Sequence, residues 1–207
     1  MFTKFRSNCI ALSLCAAFSS TACASTPSSL IVKIEEEWEL RVGTPDPNSN
    51  APQFSTVMCP TRSLDSWHAT VELNHCTEPY VCGGGVHLQM WNGDLLVADK
   101  GWGEFKSLDR SDDIVRWTQV LELRDGRLEV SIRDGTGESW GAFGGDELKV
   151  TAEAPVYELC EYQVDTSVKE SGVCLASNRV HEMVLRKVRY TMADGSVSED
   201  VLNRIIK

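Results

Sequence analysis

Apolar and polar residues alternate along most of this chain. In "VKIEEEWELRV", Val32, Ile34, Trp38, Leu40 and Val42 share one parity, and Lys33, Glu35, Glu37, Glu39 and Arg41 share the other. A period of two marks a strand with one buried face. "HATVELNH" repeats it, with Ala69, Val71 and Leu73 inward and His68, Thr70, Glu72 and Asn74 outward. In "CGGGVHLQMWNG", Val86, Leu88 and Met90 face one way and His87, Gln89 and Trp91 the other. "RWTQVLEL" and "LEVSIRDG" bury Trp117, Leu121 and Leu123, then Leu128, Val130 and Ile132. The "RDGR" between them supplies an Asp-Gly turn that accepts positive φ, so 116–133 reads as a hairpin. "RVHEMVLRKVRYTMADGSVSEDV" reads as a second hairpin, turning at "ADG". Helical patterning is nearly absent. "EDVLNRIIK" reads as one helical turn or a last strand, and "TPDPNSNAP" and "DRSDD" read as loops. Short strands punctuated by Gly, Asp and Pro predict an all-β antiparallel sandwich, one domain over 31–207.

One charge breaks the first strand. Glu36 interrupts its apolar parity, as Arg186 interrupts that of Val184, Val188, Tyr190 and Met192. If the two strands pair with 36 opposite 186, Ile34 meets Val188, Trp38 meets Val184 and Glu35 meets Lys187. A buried ion pair between Glu36 and Arg186 is therefore expected, because a lone buried carboxylate is costly unless protonated.

The start of the chain follows another pattern. Lys4 and Arg6 precede the apolar run Cys9 to Phe18, and Ala22-Cys23-Ala24 offers small residues for cleavage. Residues 1–24 read as a secretory signal peptide and 25–30 as a short linker, which predicts a secreted or periplasmic protein. The alternative is a lipoprotein acylated at Cys23, although Ser20 stands where such a signal has leucine. No later segment approaches the roughly 20 apolar residues of a transmembrane helix. The chain carries 20 Lys+Arg against 30 Asp+Glu, a net charge of −10. Removing Lys4 and Arg6 with the leader leaves −12. Such a balance argues against nucleic acid or anionic lipid as partners.

Export makes disulfides the default. Five cysteines follow residue 24. Cys76 and Cys82 flank the turn-like "TEPYV", and Cys160 and Cys174 bracket the polar "EYQVDTSVKESGV". The expected pairs are 76–82 and 160–174, with Cys59 left over. His75, Cys76, Cys82 and His87 are residue types that zinc accepts, but their spacing fits no common zinc motif. Asp46, Asn48 and Asn50 alternate as calcium-type oxygen ligands. Ala51 stands where an EF-hand loop has glycine and Val57 where it has glutamate, so this loop is read as a turn and no cofactor is expected.

Outward residues of the middle strands make the candidate ligand-binding face: Glu72, Asn74, His87, Gln89, Trp91 and Arg116. Sugar hydroxyls want paired hydrogen bonds, and the C–H face of a pyranose stacks on an aromatic ring. An ordinary solvated face favours Thr, Lys and Glu; Trp91 and His87 raise it above that. The leading expectation is non-catalytic binding of an extracellular glycan. The first rival is a polysaccharide lyase or hydrolase using His87 with Glu72 or Arg116, and the second a structural or adhesive envelope protein. No HExxH, nucleophile elbow or E-x-D-x-x-E strand is present. Gly83 to Gly85 serve either a close approach or a flexible bend, since no Lys-Ser/Thr follows to bind phosphate. Trp140 reads as a plug at the end of the sandwich; Trp102 reads equally as plug or sugar platform.

"RWTQVLELRDGRLEVSIRDG" resembles the W-x-x-V…DG-x-L-x-V-x-x-DG hairpin of concanavalin A-like (LamG-type) jelly-roll domains. "VELNHCTEPYVCGGGVHLQMWNG" is faintly similar to the strand–glycine–strand segment of keto-disaccharide hydrolase-like jelly rolls. The whole chain is also similar to uncharacterised exported bacterial proteins. The resemblance covers about the middle half of the chain and implies a jelly-roll β-sandwich with glycan-related work. It carries no catalytic residue over, because the acidic and metal signatures of those enzymes have no counterpart in this sequence.

Overall fold

A computed structural model describes residues 30–43, 54–74, 84–103, 106, 108, 110–174 and 180–207. The period-two segments become strands. In chain order these are β1 (Ile31–Val42), β2 (Phe54–Met58), β3 (Trp67–Asn74), β4 (Gly85–Asn92), β5 (Leu95–Trp102) and β6 (Asp113–Arg124). Then come β7 (Arg127–Gly137), β8 (Gly141–Phe143), β9 (Lys149–Glu153), a short helix α1 (Val164–Glu170), β10 (Gly172–Val173), β11 (Val180–Met192) and β12 (Val197–Ile205). They form two packed antiparallel sheets, as the alternation predicts. One runs β12-β11-β1-β6-β7, with β8 and β9 both on β7; the other runs β10-β2-β3-β4-β5. No helix among the described residues is long and apolar enough to cross a membrane.

The inward parities meet in one core. Ile34, Trp38, Leu40, Trp117, Leu121, Val130 and Ile132 from the larger sheet face Val71, Leu73, Val86, Leu88 and Met90 from the smaller. Trp38 and Trp117 are cross-strand partners with rings 10° from parallel. Burying each large apolar side chain contributes roughly 1.5–3 kcal/mol before chain entropy is counted. The β6–β7 hairpin turns at Asp125 (φ 52) and Gly126 (φ 76), as the Asp-Gly pair predicts. The C-terminal segment is a strand, the second arm of the β11–β12 hairpin.

The expected register between β1 and β11 is wrong: β11 is shifted by two residues up to Glu37 and, across a bulge, by one from Trp38 on. Glu36 lies opposite Val188 and Glu37 opposite Lys187, but Trp38 lies opposite Leu185. Arg186 is the extra residue. A one-residue slip exchanges the faces of every side chain beyond it. Met183 and Leu185 therefore enter the core, and Arg186 turns outward to Glu39, 2.6 Å away. The Glu36–Arg186 ion pair does not form. Glu36 instead lies fully buried, accepting from Tyr162 Oη (2.5 Å), Trp38 Nε1 (2.8 Å) and Gln119 Nε2 (3.4 Å).

The Cys160–Cys174 bridge is also absent. The segment between these cysteines is not an open loop. It folds into α1 against β2 and then pairs as β10 with the β2 edge. This carries Cys174 to that edge, where its Sγ lies 3.5 Å from Ser55 Oγ. Cys59 is buried, and burial pushes its thiol up to about 12. Residues 1–29, Asp46, Asn48, Asn50, His75, Cys76 and Cys82 lie outside the described residues.

Gly85 begins β4 at φ +71, where an added Cβ would come within 2.1 Å of the Trp102 carbonyl oxygen. Gly85 thus serves a close approach between the start of β4 and the end of β5. Trp102 closes the same end of the sandwich, packing at centroid distances of 6.0 Å from Trp140 and 5.3 Å from Phe143. Its indole N–H donates to Glu147. Trp140 is buried as the expected plug, while Trp102 packs against it and stays partly exposed.

Candidate functional site

Because there are two sheets, there are two outer faces, and they differ in chemistry. On the larger sheet, paired strands set opposite charges side by side. Lys187 meets Glu37 at 2.7 Å, Arg189 meets Glu199 at 2.6 Å, and Glu39 accepts from both Arg186 (2.6 Å) and Arg116 (2.7 Å). The two guanidiniums, Arg186 foremost, hold Glu39 below the usual carboxylate range. This face is a solvated lattice of ion pairs. Arg116 belongs to it, on β6, and so does not share a face with His87. That part of the expected ligand set is corrected: Arg116 and His87 lie on different sheets of the sandwich.

The smaller sheet brings the rest together. Register places Glu72 beside His87, Thr70 beside Gln89 and His68 beside Trp91 on β3 and β4. On β5, Asp99 lies beside Gln89 and Leu96 beside Trp91. Asn74 pairs with Gly85 at the end of the same strand pair. Val86, Leu88 and Met90 are buried, while His87 and Trp91 are partly exposed, as the alternation predicts.

A hydrogen-bonded chain runs along this face. The Trp91 indole donates to Gln89 Oε1 at 3.2 Å. That fixes the Gln89 amide, whose nitrogen lies 3.0 Å from His87 Nδ1. The other ring nitrogen, Nε2, lies 3.1 Å from Asp99 Oδ2. Glu72 Oε2 lies 3.7 Å from Nδ1, and it is buried without a hydrogen-bond partner. Glu72 is the main reason that the His87 pKa stands above its ordinary value; burial opposes the shift and Asp99 adds to it. An imidazole between two carboxylates can hold a proton or bind a hydroxyl. Asp99 was missed from the sequence because "LLVADKGW" has no clean alternation; its strand is an edge with Leu95, Leu96 and Val97 exposed.

Beyond Trp91 the face opens into a concavity of about 400 Å³ lined by Leu64, Asp65, His68, Trp91, Gly93 and Asp94. The His68 and Trp91 rings lie 8° from parallel with centroids 6.4 Å apart. One carbonyl organises this corner: Ser66 O accepts from Gly93 N and from His68 Nδ1, both at 3.0 Å. The loop before β3 is held by its own side chains, with Thr61 Oγ1 2.8 Å from Ser66 Oγ and Ser63 Oγ 3.0 Å from Asp65 Oδ2. No group of three or more His, Cys, Asp or Glu able to hold a metal occurs among the described residues. No family model matches the chain, and no curated protein matches it.

Proposed function

We propose that this is an exported β-sandwich of the concanavalin A-like, jelly-roll kind that binds an extracellular carbohydrate without catalysis. The binding surface is the outer face of β3, β4 and β5. The observation that carries the reading is the parallel His68–Trp91 pair beside an open, polar concavity. An aromatic platform with carboxylates around it is what a pyranose needs, because its C–H face stacks and its hydroxyls donate. Gln89, His87 and Asp99 extend the polar row away from the platform. The leader-like residues 1–24 support export.

A second reading, a polysaccharide-active enzyme, draws on His87 lying between Glu72 and Asp99. Only its form with Glu72 keeps support, because Arg116, the other partner considered for His87, sits on the other sheet in a salt bridge with Glu39. A glycan array on the purified protein, with Trp91→Ala as control, tests the lead. Binding that Trp91→Ala abolishes supports it. The absence of binding, or binding indifferent to that substitution, sinks it.

A further inference from the structure

The side chains of the concavity offer a ligand acceptors and no donors. Asp65 and Asp94 are exposed carboxylates. His68 Nδ1 faces the Ser66 carbonyl, which can only accept, so Nδ1 carries a proton and, in the singly protonated ring, Nε2 is an acceptor. The Trp91 indole N–H is spent on Gln89. The backbone N–H of Gly93 is spent on the Ser66 carbonyl. Leu64 brings only carbon. The next groups along the face add two more carboxylates, Glu72 and Asp99, with the His87 imidazole, the Gln89 amide and the Thr70 hydroxyl among them. Glu72 Oε2 is a buried acceptor with no donor. Arg62, exposed in the loop before β3, is the sole Lys or Arg of loop 59–66, β3, β4 and the 93–94 turn, and β5 adds Lys100.

An acceptor-only lining next to an indole face selects a ligand rich in donors and positively charged. A carboxylate ligand would meet like charge and leave its own oxygens unpaired. An ammonium group would satisfy the acceptors with up to three donors and lie against the ring as a cation–π partner. We propose that the His68–Trp91 concavity recognises the protonated amine of an amino sugar, with Asp65 and Asp94 as its counter-charges. This rests on the glycan-binding reading and narrows it to a substrate class.

The test compares three soluble oligosaccharides of matched length by calorimetry on the full chain: β-1,4-glucosamine, its N-acetylated form, and an oligouronate. The glucosamine oligomer should bind about tenfold or more tighter than the N-acetylated one, the worth of one charge-assisted hydrogen bond, and the oligouronate should not bind. Asp94→Asn, a surface change that leaves the strands intact, should erase that difference and keep the fold. Equal or tighter binding of the N-acetylated or uronate oligomer would overturn the amine assignment and leave glycan binding standing. Failure of all three to bind would overturn the amine assignment, and a glycan array that is also blank would overturn the glycan reading.

Discussion

The Tyr162 hydroxyl donates a 2.5 Å hydrogen bond to Glu36 Oε1 in the interior of the sandwich. Gln119 ties the same carboxyl to Thr56 on the opposite sheet, since Thr56 Oγ1 donates to Gln119 Oε1 at 2.5 Å. Burial raises the Glu36 pKa from 4.5 to about 7, even though Tyr162 and Trp38 favour its charged form. The folded chain therefore holds a proton that the unfolded chain releases. The stability contributed by this proton is full below pH 4.5, falls as pH rises towards 7, and is gone above it. At about 1.36 kcal/mol per pH unit, the loss from this group is capped at roughly 3 kcal/mol. Glu36→Gln cannot ionise, so the part of the pH dependence that Glu36 carries between pH 4.5 and 7 should vanish and the fall in stability from pH 5 to pH 8 should shrink. Urea titrations at pH 5 and pH 8 check this; an unchanged pH slope in Glu36→Gln would count against it.

Arg186 supplies the matching control. Its partner is the surface carboxylate Glu39, so Arg186→Met should cost only about 0.2–1 kcal/mol. It should leave the pH dependence near 7 untouched, because Arg186 does not reach Glu36. If the substitution moved that midpoint, the bulge at position 186 would be misplaced.

Two glycines at positive φ should respond in opposite ways. At Gly85 an added Cβ meets the Trp102 backbone, whereas at Gly126 it meets nothing within 4 Å. Gly85→Ala should cost about 2 kcal/mol or more and separate the β4 start from the end of β5. Gly126→Asn should stay within about 0.5 kcal/mol, because asparagine accepts a type I′ turn. Thermal melts of the two variants distinguish close approach from mere flexibility.

The two sheets, the β6–β7 hairpin and the paired faces of β4 were legible because they rest on period and turn chemistry. The bulge was not, since a single extra residue leaves no mark on the alternation until Met183 and Leu185 are seen inside. A separate two-residue shift sets Glu36 opposite Val188, and the bulge turns Arg186 to the outer face. Arg116 was misplaced for another reason: alternation reports which residues face out, never from which of two sheets. The partner that Glu36 does have, Tyr162, comes from a polar stretch 126 residues away, brought near by α1 docking on β2 and by the Leu159 N–H donating to the Ile31 carbonyl of β1. His68 was read as outward; its role beside Trp91 needed the cross-strand register.

His87 gives the sharpest local test of the binding face. Its protonated ring is favoured by Glu72 first and by Asp99 after it, against the cost of partial burial. A histidine whose pKa is raised on folding contributes stability below its unfolded value of 6.5, and that contribution disappears as pH climbs through the raised value. Glu72→Gln should therefore lower the His87 midpoint most, and Asp99→Asn should lower it less. Asp94→Asn, which lies in the concavity rather than beside His87, should hardly change it. Proton NMR of the imidazole across pH 5–9 reads all three. A larger effect from Asp99 than from Glu72 would mean that the Nε2 contact, and not the Glu72 carboxylate near Nδ1, sets the charge of this row.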